Sequence, residues 1–259
     1  MGDEMDLGLK GKVVAITGGS EGIGRATALR FAMEGANVAI LARRAEPLGK
    51  TAGEIEALGT QVLAMTGDAT TDMKRFIDAT VERFGRVDVL VNNAGGSGQL
   101  AFDKVDDKGW REDMEVKLFA PIEGVRCVVP HMKKQGGGSI IMLTMSAAAT
   151  PGANQVPTVV SRSAGAALAK ALSKELGPFN IRVNVACVGK IKTPQQERSA
   201  KRLGRTVEEH FAAQAKTVPL GRMGEPADLA NAIAFLASSA ASYITGTCLN
   251  VDGGTSGVL

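Results

Sequence analysis

Short runs of near-continuous apolar and β-branched residues recur along the chain. They fall at Val13–Thr17, Val38–Leu41, Val62–Met65, Val87–Val91, Ile140–Leu143, Ile181–Val185 and Cys248–Val251. Runs this short, without polar alternation, predict strands buried on both faces, as in a parallel sheet. Stretches of helical period lie between them, near Ile23–Glu34, Pro47–Leu58, Thr71–Phe84, Trp110–Lys134, Val159–Leu176 and Pro226–Ser238. Gly35, Gly59 and Gly85 follow the first three helices and Gly177-Pro178 the fifth, which is helix-stop chemistry. Strand–helix alternation of this kind implies right-handed crossovers. The expected fold class is α/β: a single-domain, doubly wound parallel sheet with helices on both faces. No linker and no fixed-period repeat divides the chain, so residues 9–259 are expected to form one domain behind a loose tail, 1–8.

The least regular segment is 189–218. It holds seven basic residues (Lys190, Lys192, Arg198, Lys201, Arg202, Arg205 and Lys216) against Glu197, Glu208 and Glu209. An insertion after a late strand, at the carboxyl end of the sheet, is where a substrate lid would sit. A solvated pair of charged helices gives the same pattern.

Composition narrows the classes. The chain has 259 residues, 44% hydrophobic and 22% charged, which is globular. A net charge of +3 is too small for a nucleic-acid footprint, and 4% aromatics argue against base stacking. Cys127, Cys187 and Cys248 show no metal-like or redox-like spacing, and are expected to be buried small hydrophobes in a reducing compartment. With His131 and His210 the only histidines, no metal site is expected. No apolar run reaches transmembrane length, and the first residues are acidic rather than signal-like. The expected address is the cytoplasm, with a small-molecule substrate and neither nucleic acid nor membrane as partner.

Thr17-Gly18-Gly19-Ser20-Glu21-Gly22-Ile23-Gly24 follows the first strand and opens a helix. Gly18 permits the sharp exit from the strand, Gly22 lets backbone approach a pyrophosphate, and Gly24 allows close helix–sheet packing. The helix N-terminus then offers N–H groups and a positive dipole end to the phosphates. At the tip of the second strand an acid would hold ribose hydroxyls, whereas a base accepts a 2′-phosphate. The chain has Arg43 and Arg44 there and no acid, which favours NADP, with NAD still open. Glu21 cuts the other way by repelling a nearby phosphate.

These residues resemble the short-chain dehydrogenase/reductase family. The likeness is carried by the glycine turn, Asp68 after strand three, Asn92-Asn93-Ala94-Gly95 after strand four, and Ile181-Arg182-Val183-Asn184. Gly221-Arg222-x-Gly224-x-Pro226, Tyr243-Ile244-Thr245-Gly246 and Val251-Asp252-Gly253-Gly254 extend it over about residues 9–254. The resemblance implies a seven-stranded Rossmann domain, commonly a homotetramer. It places Asp68 and Ala69 at the adenine, Asn93, Ala94 and Gly95 along the adenosine ribose side, and Gly189, Ile191 and Thr193 beside the nicotinamide amide. The family usually has Pro-Gly where this chain has Val188-Gly189.

The resemblance also implies an Asn-Ser-Tyr-Lys catalytic set, and this chain departs from it. The tyrosine position falls on Thr158, the lysine position on Arg162, and the asparagine position on Lys117. The serine position falls on Met145, beside Ser146. The one tyrosine, Tyr243, lies in the C-terminal motif, so the phenol is missing whatever the register. Thr158 alone is a poor acid, and Arg162 holds its proton but can donate hydrogen bonds. Lys117, if buried near Arg162, would lose pKa and become a candidate general acid. Ser146 and Ser161 could polarise a substrate oxygen. Three readings follow: an oxidoreductase on a carbonyl or alcohol, with altered proton delivery and an anionic substrate as one option; an inactive nucleotide-binding subunit beside an active relative; or a non-redox isomerase or dehydratase.

Overall fold

A computed structural model describes residues 6–258. The elements run β1 (Val13–Thr17), α1 (Gly22–Met33), β2 (Asn37–Ala42), α2 (Ala45–Ala57), β3 (Val62–Thr66), α3 (Met73–Phe84), β4 (Val89–Asn92) and β5 (Gln99–Leu100). Then come α4 (Asp107–Met114), α5 (Ala120–Lys134), β6 (Gly138–Met145), β7 (Val156–Pro157), α6 (Thr158–Leu176) and β8 (Ile181–Val188). The chain closes with α7 (Pro194–Arg202), α8 (Val207–Ala215), α9 (Pro226–Ala237) and β9 (Cys248–Val251).

Seven strands form one parallel sheet in the order β3-β2-β1-β4-β6-β8-β9. Side-chain alternation buries both faces. Val14 and Ile16 of β1 pack with Phe31, Ile55, Leu229 and Ile233 under α1, α2 and α9. Ala15, between them, joins Met73, Phe76, Val128 and Ala169 under α3, α5 and α6. The chain winds outward from β1 to β3, then returns through β4. The strand order therefore reverses between β1 and β4, and a crevice opens past their carboxyl ends.

The expected helix stops hold at Gly35, Gly59 and Gly85, all at positive φ. At the fifth helix the stop also falls at Gly177, which caps α6 with a helical φ of −53° and opens a short 3-10 turn, and the chain reverses at Asn180, φ +56°. The helix expected over Trp110–Lys134 is interrupted by one π-helical turn, Glu115–Phe119. The segment 189–218 forms α7 and α8, the pair of charged helices that its pattern allowed. In α8 a capping box supplies the signal, with Thr206 Oγ accepting from Glu209 N–H and Glu209 Oε2 from Thr206 N–H. Of the loose tail expected over 1–8, residues 1–5 lie outside the described residues. Leu7 is held, its carbonyl accepting from Ser239 N–H and Oγ–H. Cys187 is buried as expected and Cys127 half-buried, but Cys248 is exposed because β9 is an edge strand. Among the described residues no helix is long and apolar enough to cross a membrane.

Candidate functional site

The glycine turn leaves the crevice end of β1. Gly18 N–H donates to Leu41 O at 2.7 Å, and Gly18 and Gly22 take φ of +71° and +53°, a region that side chains disfavour. A side chain at Gly24 would start 2.1 Å from Gly18 O, so only glycine lets α1 sit this close. The turn is braced from β4. Asn93 Nδ2 donates to Thr17 O at 2.9 Å and Gly18 O at 3.1 Å, while Thr17 Oγ accepts from the N–H groups of Asn93 and Ala94. Ser20 O accepts from Thr51 Oγ–H, and Ile23 packs on the core. No side chain caps α1, so its dipole end stays open to an anion. This cradle fits a dinucleotide pyrophosphate.

At the tip of β2, Arg43 is 80% exposed and its Nη1 lies 3.9 Å from Asp68 Oδ2. Asp68 Oδ1 accepts from Thr70 N–H and Oγ–H, and Ala69 is buried beside it. Arg44 pairs with Glu21. Across the turn, Thr193 Cγ2 stands 3.4 Å from where a Gly22 side chain would begin. Ile191 is buried and bridges to Gly224. Gly189 serves packing, because a side chain there would start 2.4 Å from Asp252 Cα.

Lys117, Thr158 and Arg162 come together. The π-helical turn carries Lys117, 4% exposed, inward against the start of α6. π-turns of this kind recur at functional sites. Lys117 Nζ donates to Asp113 and, at 2.8 Å, to Thr158 Oγ. Thr158 Oγ also accepts from Gly98 N–H at 2.8 Å and faces Asp113 Oδ1 at 3.3 Å. Ser161 Oγ–H donates to Asp113 Oδ2 at 2.6 Å. Arg162 donates to Leu143 O at the end of β6. Gly95, φ +135°, joins the two sets, since a side chain there would start 3.1 Å from Arg162 Nη2 and 3.3 Å from Lys117 Cγ.

Burial pushes the Lys117 ammonium below its usual range. Asp113 opposes that fall, and the Arg162 charge reinforces it. Burial also pushes Arg162 down to about 10, so it stays charged at neutral pH. A cavity of 310 Å³ reaches Lys117 and Asp113 past Gly96, Ser97, Gly98 and Pro157. Ser146 is buried in the turn after β6, and among the described contacts its hydroxyl does not join the cluster. Tyr243 is fully exposed. Asp113 is the residue that sequence reasoning missed. Its one signal is the four-residue spacing to Lys117 on a helix.

A family model described as enoyl-(acyl carrier protein) reductase matches residues 18–256. The 3-oxoacyl-(acyl-carrier-protein) reductase of Thermotoga maritima is 35% identical over 248 residues, 95% of this chain and 98% of that one. Human dehydrogenase/reductase SDR family member 4 is 34% identical over 95% of this chain and 88% of its own. Among solved structures, L-sorbose reductase from Gluconobacter frateurii, complexed with NADPH and L-sorbose, superposes with a TM-score of 0.92. It is 35% identical and covers 98% of this chain and 100% of its own. The sheet order, the glycine turn and these likenesses agree: the chain belongs to the short-chain dehydrogenase/reductase family of oxidoreductases.

Proposed function

We propose that this protein is a nicotinamide-dependent oxidoreductase, NADPH-preferring, that interconverts a carbonyl and an alcohol and delivers the proton from Lys117 through Thr158. The observation that carries the reading is the buried 2.8 Å hydrogen bond from Lys117 Nζ to Thr158 Oγ.

The glycine turn, Asn93–Gly95 and Asp68 would hold the dinucleotide, with Ile191 and Thr193 at its far end and Arg43 and Arg44 at a 2′-phosphate. The pairing of the solved relative with NADPH supports this assignment. A bound nicotinamide coenzyme supplies the hydride. The chain supplies the proton and the orientation. Thr158 Oγ accepts from Lys117 and from Gly98 N–H, which leaves its own proton free to donate. In the free protein that proton points to Asp113 at 3.3 Å, a long bond that a substrate oxygen can replace. As negative charge develops on that oxygen, Thr158 donates its proton and takes one from Lys117. The lysine ends neutral, which its desolvation favours. Arg162 remains a fixed cation and moves no proton. The segment 189–218 would close over the turn as a cover, with α7 lying against Gly22.

A second reading has one observation in its favour. Asp113 accepts from Lys117, Ser161 and Thr158, a closed set of polar partners of the kind that stabilises a core. On that reading the protein binds coenzyme as a subunit without turnover.

Calorimetric titration with NADPH and NADH, followed by coenzyme oxidation across a panel of aldehydes and ketones, tests both. The proposal expects NADPH to bind more tightly and at least one carbonyl to be reduced. Binding without turnover on any carbonyl selects the second reading, and binding of neither coenzyme rejects both.

A further inference from the structure

The ion pairs around Glu21 lie outside the proton-delivery cluster and join three elements. Glu21 precedes α1, yet its side chain does not cap that helix. Its Oε2 instead takes Arg44 from the tip of β2 and faces Arg198 Nη1 of α7 at 3.8 Å. The start of α7 rests on the same turn, with Thr193 Cγ2 at 3.4 Å and Pro194 Cδ at 3.6 Å from where a Gly22 side chain would begin. One carboxylate therefore holds a cation from the ribose end of the coenzyme crevice and another from the helix that covers it.

We propose that Glu21 couples α7 to the phosphorylation state of the adenosine ribose, and so sets which coenzyme closes the cover. This inference rests on the coenzyme reading above. Arg44 and Arg198 compete for one carboxylate, and the shorter contact belongs to Arg44. Arg43 makes only the 3.9 Å approach to Asp68. Exposed pairs of this kind are weak and readily exchanged. A 2′-phosphate offers Arg43 and Arg44 a multiply charged partner with several acceptor oxygens. Arg44 then turns from Glu21 to the phosphate, leaving Glu21 to Arg198 alone, and α7 is drawn onto the glycine turn. Without a 2′-phosphate, Arg44 keeps Glu21 and Arg198 stays at arm's length. The Glu21 charge also opposes the phosphate directly, so the carboxylate weakens NADPH binding while passing its signal to α7.

Amide hydrogen exchange over Pro194–Arg202 tests this with NADH and with NADPH, each at saturation, in the wild type, Glu21→Gln and Arg198→Met. NADPH should slow exchange in α7 about threefold or more beyond NADH in the wild type, reflecting a shifted closed population. Both variants should bind both coenzymes and lose that difference. Glu21→Gln should also bind NADPH roughly three- to tenfold more tightly relative to NADH, because a like charge is gone. Equal protection by the two coenzymes, or a difference that survives in Glu21→Gln, overturns the coupling and leaves the coenzyme reading standing. Failure of the wild type to bind either coenzyme overturns both.

Discussion

Lys117 and Arg162 are two cations served by one carboxylate, Asp113, and that shortage governs the chemistry of the cluster. Among the described residues Asp113 is the acid that holds the Lys117 proton on, against burial and the Arg162 charge. In the proposed role the lysine must be protonated to drive reduction, so reductive turnover should fall as pH rises through its depressed pKa, below the usual value of about 10.4. Oxidative turnover should rise over the same range. In Asp113→Asn the supporting charge is lost, Lys117 releases its proton at still lower pH, and the reductive limb moves toward acid. A pH–rate profile of the two proteins checks this; an unmoved limb would separate Asp113 from proton delivery. Asp113 was invisible in the chain because an acid four residues before a lysine is commonplace on exposed helices. The π-helical turn, which no local pattern announces, carries Lys117 inward beside Asp113, buried near the end of α4. The absence of a phenol near α6, by contrast, followed from composition, since the chain has one tyrosine and it is exposed.

At the scale of elements, the strands were legible because both faces are buried. A strand between two helical layers must be apolar at nearly every position, as β1 is, and such a run stands out. The helices α7 and α8 were less legible because their surroundings demand little of them. Ala200 and His210 are their buried residues, too few to impose a period. The two-residue strands β5 and β7 are shorter than any pattern can register, yet they pair Gln99 with Pro157 beside Thr158. The end of α6 shows a local preference overridden. Gly177 caps α6 where the sequence places the stop, but the left-handed turn falls to Asn180, whose Nδ2 donates to Gly136 O at 3.1 Å. Asn180→Ala should therefore cost about 1–2 kcal/mol, since alanine tolerates that conformation poorly and the bond is lost. Urea denaturation measures it; no loss of stability would show that the turn relaxes without cost.

For the whole molecule, the doubly wound sheet places two separately built sets of residues on either side of Gly95. The proposed coenzyme cradle rests on Gly18 and Gly24, whose side-chain space is already filled, and on Gly22 at positive φ, and its strand–turn–helix motif was legible. The proposed proton-delivery cluster draws together residues as far as 41 to 60 positions apart, and it was legible only in part. If the cradle binds coenzyme in the native state alone, saturation at about 100 times Kd should stabilise the fold by about 2.7 kcal/mol. In a chain of this length that raises Tm by roughly 5–10 °C, readable by calorimetry, and no shift would count against the cradle. The most direct test of the central claim is coenzyme oxidation by Lys117→Met, with coenzyme affinity and folding measured on the same sample. The account predicts a folded protein that keeps its NADPH affinity while kcat falls by about 10²–10⁴. Turnover at the wild-type rate in that variant would contradict it.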